Sequence, residues 1–376
     1  EVDRFFAPDP PATLLVGAGN TDWRRDGALG AFTAPNFAGP RLTIAMLQTA
    51  VSEGFMEMIH GGDHLLVVCD EVHNFGATSR RALDGLSAGA RLGLSATPER
   101  FRDPEGTAAI FNYFGAVLEP TITLEDAVEA GRLCPYDYFV RPVDLEPNGV
   151  DDWDEVTKQI KRIAAREGGV AKGEMSERMQ LLLIGRSRIA KQAARKAPLA
   201  VEIVAEGFQA GQHWLVYCDD REQLRTVVEL LTERGLPAVE YWSDMEGDPA
   251  ATMAQFERSG GVLVAIKCLD EGVDVPKISH GVILASTQNP REFIQRRGRM
   301  LRRSDGKHYA VIHDLLVLPP ENSEQVFDSL IAAELTRASE FAESATNEAC
   351  KLDIESLRVA WGVPEDPSPL TMEVAS

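Results

Sequence analysis

Short apolar runs that end abruptly in polar residues constrain this chain most. Leu65-Leu66-Val67-Val68-Cys69 runs straight into Asp70-Glu71-Val72-His73, and Leu92-Gly93-Leu94 into Ser95-Ala96-Thr97-Pro98. Later, Val262-Leu263-Val264-Ala265-Ile266 leads to Asp270-Glu271-Gly272-Val273-Asp274. A continuous apolar run of this length suits a strand buried on both faces, as in a parallel sheet covered by helices. Helical stretches separate the runs; Arg221 to Arg234, stopped by Gly235, is the clearest. Strands alternating with helices predict an α/β fold with parallel sheets, and such sheets keep their ligands at the carboxyl ends of the strands. Further strands are expected at Thr13–Val16, Arg41–Met46, Tyr136–Val140, Trp214–Cys218, Val282–Ala285 and Tyr309–Ile312. Pro147-Asn148-Gly149 reads as a turn, and residues 151–205 as mostly helical, amphipathic and basic. Residues 324–360 are expected to be helical.

The formal net charge is −20, yet Gln295-Arg296-Arg297-Gly298-Arg299-Met300-Leu301-Arg302-Arg303 holds five arginines in nine residues. In a helix, Gln295, Arg299 and Arg302 fall on one face. Arginine keeps its charge, and its planar fork fits phosphate oxygens. Asp70-Glu71 is the sharpest acidic signal: one carboxylate can hold Mg²⁺ while the other orients and deprotonates a water. The same pair could equally cap a following helix. The acidity argues against a protein that coats nucleic acid non-specifically. The five cysteines are scattered without a C-x-x-C pair, which argues against a zinc site or disulfide framework and fits a reducing, cytoplasmic setting. Apolar runs long enough for a membrane span are missing, and none is expected. Gly17-Ala18-Gly19 reads as a tight turn, since it lacks the third glycine and the lysine of a phosphate loop.

D-E-V-H at 70–73, S-A-T-P at 95–98, L-D-E-G-V-D-V-P at 269–276 and Q-R-R-G-R-M-L-R at 295–302 resemble, in order and spacing, motifs II, III, V and VI of the superfamily 2 helicases and translocases. Thr121 to Leu145 resembles the segment after the first motor domain in the branch of excision-repair helicases and restriction motor subunits. The resemblance covers roughly residues 14–315. It implies two RecA-like domains of the DEAH-box type with ATP and Mg²⁺ in the cleft between them, in four parts. These are a partial first RecA-like domain at 1–120, a helical basic connector at 121–205, a second RecA-like domain at 206–316 and a helical extension at 317–376. By this matching Asp70 serves Mg²⁺ and Glu71 is the catalytic base. His73, Ser95 and Thr97 couple nucleotide to nucleic acid, and Gly272 and Asp274 approach the nucleotide. Gln295 orients the γ-phosphate and water, while Arg299 and Arg302 are arginine fingers. Gln48, Thr49 and Lys267 lie near nucleic-acid contact motifs, and the track held by its phosphates is expected to be DNA rather than RNA.

One motif is missing. The P-loop G-x-x-x-x-G-K-[ST] does not occur in these residues; Gly-Lys appears only at Gly306-Lys307. The chain is therefore expected to begin after the P-loop and, alone, to hydrolyse ATP weakly or not at all. The expected function is an ATP-driven DNA helicase or double-strand translocase. The alternatives are a non-catalytic DNA-binding or assembly module that keeps the motor fold, or the motor subunit of a repair, restriction or phage-defence complex.

Overall fold

A computed structural model gives the structure of the chain. It describes residues 9–17, 19–77, 83–95, 97–100, 103–167, 176–242, 245–266, 277–285, 298, 300–318 and 328–363. The chain divides into two compact units, residues 1–121 and 122–376.

The first unit holds β1 (Ala12–Val16), β2 (Arg41–Ala45), β3 (Gly62–Cys69) and β4 (Ala88–Gly93). They form two parallel pairs, β1 with β2 and β3 with β4. Gly17 and Gly19 have φ of +89° and +86°, and Gly17 exchanges main-chain hydrogen bonds with Asn20. This is the tight turn expected of that Gly-x-Gly, in a left-handed backbone that glycine adopts without strain. Alternate residues of the strands, among them Leu14, Val16, Leu65 and Val67, pack on a core of Trp23, Leu29, Phe55, Phe75 and Ile110. The helix Pro104–Phe114 closes that core; Phe75 stacks on Tyr113 at 5.0 Å and meets Phe114 edge-on at 5.1 Å.

The expectation that β3 is buried on both faces is corrected here. Leu66 is 59% and Val68 53% exposed, and Leu15, Ile44 and Leu92 on the neighbouring strands are exposed too. A run of branched apolar residues makes a strand, but a second covering layer is needed to bury its other face. Among the described residues that layer covers only one side of these pairs.

The second unit is built on one parallel sheet, ordered β5-β10-β9-β6-β8-β7. Its strands are β5 (Tyr136–Asp144), β6 (His213–Cys218), β7 (Ala238–Tyr241), β8 (Gly261–Ile266), β9 (His280–Ile283) and β10 (Ala310–Leu318). The central strands are buried on both faces, as their unbroken apolar sequences predict. The helix Arg221–Glu233 lays Leu224, Val227 and Leu231 on the sheet at helical spacing, and Asp220 caps its first turn through Gln223 N–H at 3.0 Å. The helix Pro147–Glu167 starts on the proline expected to form a turn. Proline suits the first helical position, where its missing N–H costs nothing. Helices Asp328–Glu343 and Ala349–Ala360 complete the unit, as expected for residues 324–360.

Candidate active-site turn and the arginine segment

The D-E-V-H turn leaves the end of β3. Asp70 is exposed, and its Oδ1 accepts the Glu71 main-chain N–H at 2.9 Å. Glu71 has φ 50° and ψ 50°, the only positive φ among the described non-glycine residues. A left-handed backbone of this kind costs about 1–2 kcal/mol for an L-residue and persists only where the surroundings fix it. Val72 N–H donates to the Leu94 carbonyl at 2.9 Å, and Leu94 N–H to the Cys69 carbonyl at 2.9 Å, which ties the turn to the end of β4. A short 3₁₀ turn, Val72–Asn74, then buries Val72 and His73.

His73 is the hub. Its Nδ1 lies 3.3 Å from Glu71 Oε2 and 3.2 Å from Ser95 Oγ, and Ser95 Oγ accepts the Thr97 N–H at 3.2 Å. The Ser95 contact is within hydrogen-bond reach, with donor and acceptor set by the ring's tautomer, and the Glu71 contact is an ion pair when the ring is protonated. Five predicted residues, Asp70, Glu71, His73, Ser95 and Thr97, thus form one cluster at two strand ends. Sequence reasoning missed Arg100, whose Nη1 donates to the His73 carbonyl and whose Nε donates to Asp103 Oδ2 at 2.7 Å. Its sole sequence signal is its place two residues after S-A-T-P.

Gln48 and Thr49 sit on the short helix Leu47–Ala50, with Gln48 exposed. A Cβ on Gly17 would lie 2.7 Å from Thr49 Oγ1, so the glycine turn also makes room for that threonine. Lys267, Gly272, Asp274, Gln295 and Arg299 lie outside the described residues. Gly298 and Met300 are helical. Arg302 is exposed, and its main chain bridges to Leu133, while Leu301 O accepts the Cys134 N–H at 2.7 Å.

Buried charge surrounds the arginine segment in a way the sequence did not show. Lys196 is buried and donates to the Leu284 carbonyl at 2.6 Å, just before residues 286–297. Lys307 is buried and donates to the Met300 carbonyl, just after them. Burial pulls the Lys196 ammonium down to about 8, with Glu334 and Asp314 acting the other way. Asp314 on β10 accepts from Tyr138 Oη at 2.9 Å and Arg337 Nη2 at 3.0 Å, and Arg337 also meets Glu334 at 2.8 Å.

As for Mg²⁺, no group of three or more His, Cys, Asp or Glu among the described residues could hold a metal. Asp70, exposed at a strand end, fits an ion that takes one or two carboxylates and completes its shell with phosphate and water. Among the described residues, no helix is long and apolar enough to cross a membrane.

Comparison with known proteins finds likeness to helicases and translocases. Residues 196–304 match the helicase conserved C-terminal domain. A Methanocaldococcus jannaschii protein, by name an ATP-dependent RNA helicase, is 28% identical over 106 residues, 26% of this chain and 14% of its own length. The DNA 3'-5' translocase of Sulfurisphaera tokodaii is 27% identical over 265 residues, 65% of this chain and 57% of its own length. The chain thus spans less than two thirds of these relatives. The ATP-dependent type ISP restriction-modification enzyme LlaBIII, solved bound to DNA, aligns over 98% of this chain and 27% of its own at TM-score 0.52 and 13% identity, a likeness of fold. The match at residues 196–304 and the likeness to these relatives support a chain similar to the superfamily 2 helicases and translocases.

Proposed function

We propose that this chain belongs to an ATP-dependent DNA motor, a helicase or double-strand translocase. The observation that carries this reading is the turn at 70–73. A strained Glu71 stands beside an exposed Asp70, with His73 bound to both Glu71 and Ser95. Strain of this kind concentrates where a side chain must be aimed.

In this reading Asp70 holds Mg²⁺, which supplies charge neutralisation on the nucleotide phosphates. Glu71 accepts the proton of the attacking water, and His73 stands beside its carboxylate. Ser95 links His73 to the Thr97 main chain, so a shift of His73 is felt at the end of β4. Gly272 and Asp274 approach the nucleotide, Gln295 orients water, and Arg299 and Arg302 meet the charge developing on the transferred group. Gln48, Thr49 and Lys267 hold the DNA backbone, which gives affinity without sequence preference. The architecture that goes with it is two RecA-like domains joined by a basic helical connector and followed by a helical extension. Partner subunits of a repair, restriction or defence complex would direct such a motor.

In the full-length protein, Glu71→Gln should lower phosphate release by roughly 100-fold or more while nucleotide still binds. Arg299→Ala should do the same and leave DNA binding nearly intact; unchanged turnover would remove Arg299 from the site. The second reading, a non-catalytic DNA-binding module, is favoured by the missing P-loop sequence in residues 1–376. Those residues alone are expected to hydrolyse ATP weakly or not at all. Mg²⁺-dependent turnover by them, abolished by Glu71→Gln, would overturn that expectation.

A further inference from the structure

We infer that Arg100 is a positioning residue for the D-E-V-H turn, fixing Glu71 and His73 by tying the His73 main chain to the start of the helix Pro104–Phe114. The inference rests on the motor reading for its purpose and on geometry for its substance.

The guanidinium presents donors in a rigid fork, and two of them are used in different directions. Nη1 donates to the His73 carbonyl and Nε to Asp103 Oδ2 at 2.7 Å. Asp103 is itself anchored, because its Oδ1 caps the helix by accepting Gly106 N–H at 2.7 Å. The other end of Arg100 is held as well. Its main-chain N–H donates to Thr107 Oγ1 at 2.8 Å, and that hydroxyl donates to the Asp103 carbonyl at 3.0 Å.

Two glycines make the slot through which the side chain passes. A Cβ on Gly76 would lie 2.4 Å from the Gly106 carbonyl oxygen and 2.5 Å from Arg100 Cδ, and one on Gly106 would lie 2.3 Å from Asp103 Oδ2 and 2.6 Å from Arg100 Nε. Neither glycine has a positive φ, so both serve space rather than backbone freedom. That space admits the close approach of the helix start, its Asp103 cap and the Arg100 side chain together.

The turn needs this second hold. Glu71 sits in a left-handed backbone that persists only where the surroundings hold it. Leu94, at the end of β4, holds Val72, the next residue, and Arg100 holds His73, the one after that. Without Arg100 the carbonyl of a buried residue loses a charge-assisted donor, which weakens the hold on His73 beside Glu71 and Ser95.

The test uses the full-length protein with Arg100→Met and Arg100→Lys. Lysine keeps the charge but lacks the fork that serves both acceptors. Three quantities are read: the melting temperature, the NMR resonances of the His73 ring, and kcat against KM for DNA-stimulated ATP hydrolysis. Both variants are expected to shift the His73 ring resonances and to lower kcat by about 10- to 100-fold, with KM for ATP changed less than about twofold. A folded variant whose His73 resonances and kcat match the wild type would overturn the inference. Where Arg100→Met does not fold, Arg100→Lys carries the test. If the wild-type protein shows no ATP hydrolysis, the motor reading fails and the ring resonances alone decide whether Arg100 positions the turn.

Discussion

In the first unit the described strands stand as two separate pairs with apolar side chains open on one side, and the candidate site is a single strained turn. In the second, six parallel strands form one sheet, and buried lysines bond to the main chain on either side of residues 286–297. The first unit holds its site by a local lattice of hydrogen bonds among Cys69, Val72, His73, Leu94, Arg100 and Asp103. The second holds the main chain before and after residues 286–297 from its core, through carbonyls at Leu284 and Met300. A polar site can therefore be kept in place by strain and many small bonds, or by a few buried charges set in a well-packed sheet. The second device is stiffer and depends on the core remaining dry.

The largest effect that sharpens this contrast is expected at Arg337. Arg337→Met leaves Asp314 buried without its cation and should destabilise the second unit by about 3–5 kcal/mol, measured by chemical denaturation of the full chain. Next comes a matched pair of core deletions. Leu263→Ala, on fully buried β8, should cost about 2–5 kcal/mol, whereas Leu66→Ala, on exposed β3, should cost less than about 1 kcal/mol. Equal losses in hydrogen-exchange stability would mean that the face of β3 is covered after all, which would break the comparison. A further effect, dependent on pH, is expected in acid. Burial lowers His280 to about 4; burial, then Arg141 and His280, lower His313 to about 3. Both rings are neutral in the fold and take up a proton on unfolding below pH 6.5. Their contribution is complete above that pH and is lost as pH falls toward 4 and 3, about 1–2 kcal/mol per ring by pH 5. His313→Phe should flatten that slope; an unchanged slope would place the acid sensitivity elsewhere.

Many of the strand positions were legible because a parallel sheet writes itself as short apolar runs ending in polar residues. The cluster of Asp70, Glu71, His73, Ser95 and Thr97 was legible for the same reason: all five sit at two such strand ends. Burial of β3 was misread, since the run of valines and leucines is the same whether one face is covered or two. β7 was missed because Ala238–Tyr241 is only four residues long and contains Glu240. The pairing of β5 with β10 joins residues far apart in the chain, which no local pattern reveals. Lys196 and Lys307 look like surface lysines in the sequence, and only packing shows them buried. Arg100 needed two glycines from different elements to become visible.

The position of β5 at the edge of the sheet, next to β10, has a consequence for synthesis. Tyr136 pairs with Ala310, so β5 leaves the ribosome roughly 170 residues before its partner. At ordinary elongation rates that is about 10–35 s during which its main-chain donors and acceptors have no sheet to join. Non-local parallel pairing of this kind folds slowly. The nascent second unit is accordingly most prone to aggregation before β10 emerges, and a translational pause downstream of Leu318 would help it more than one upstream.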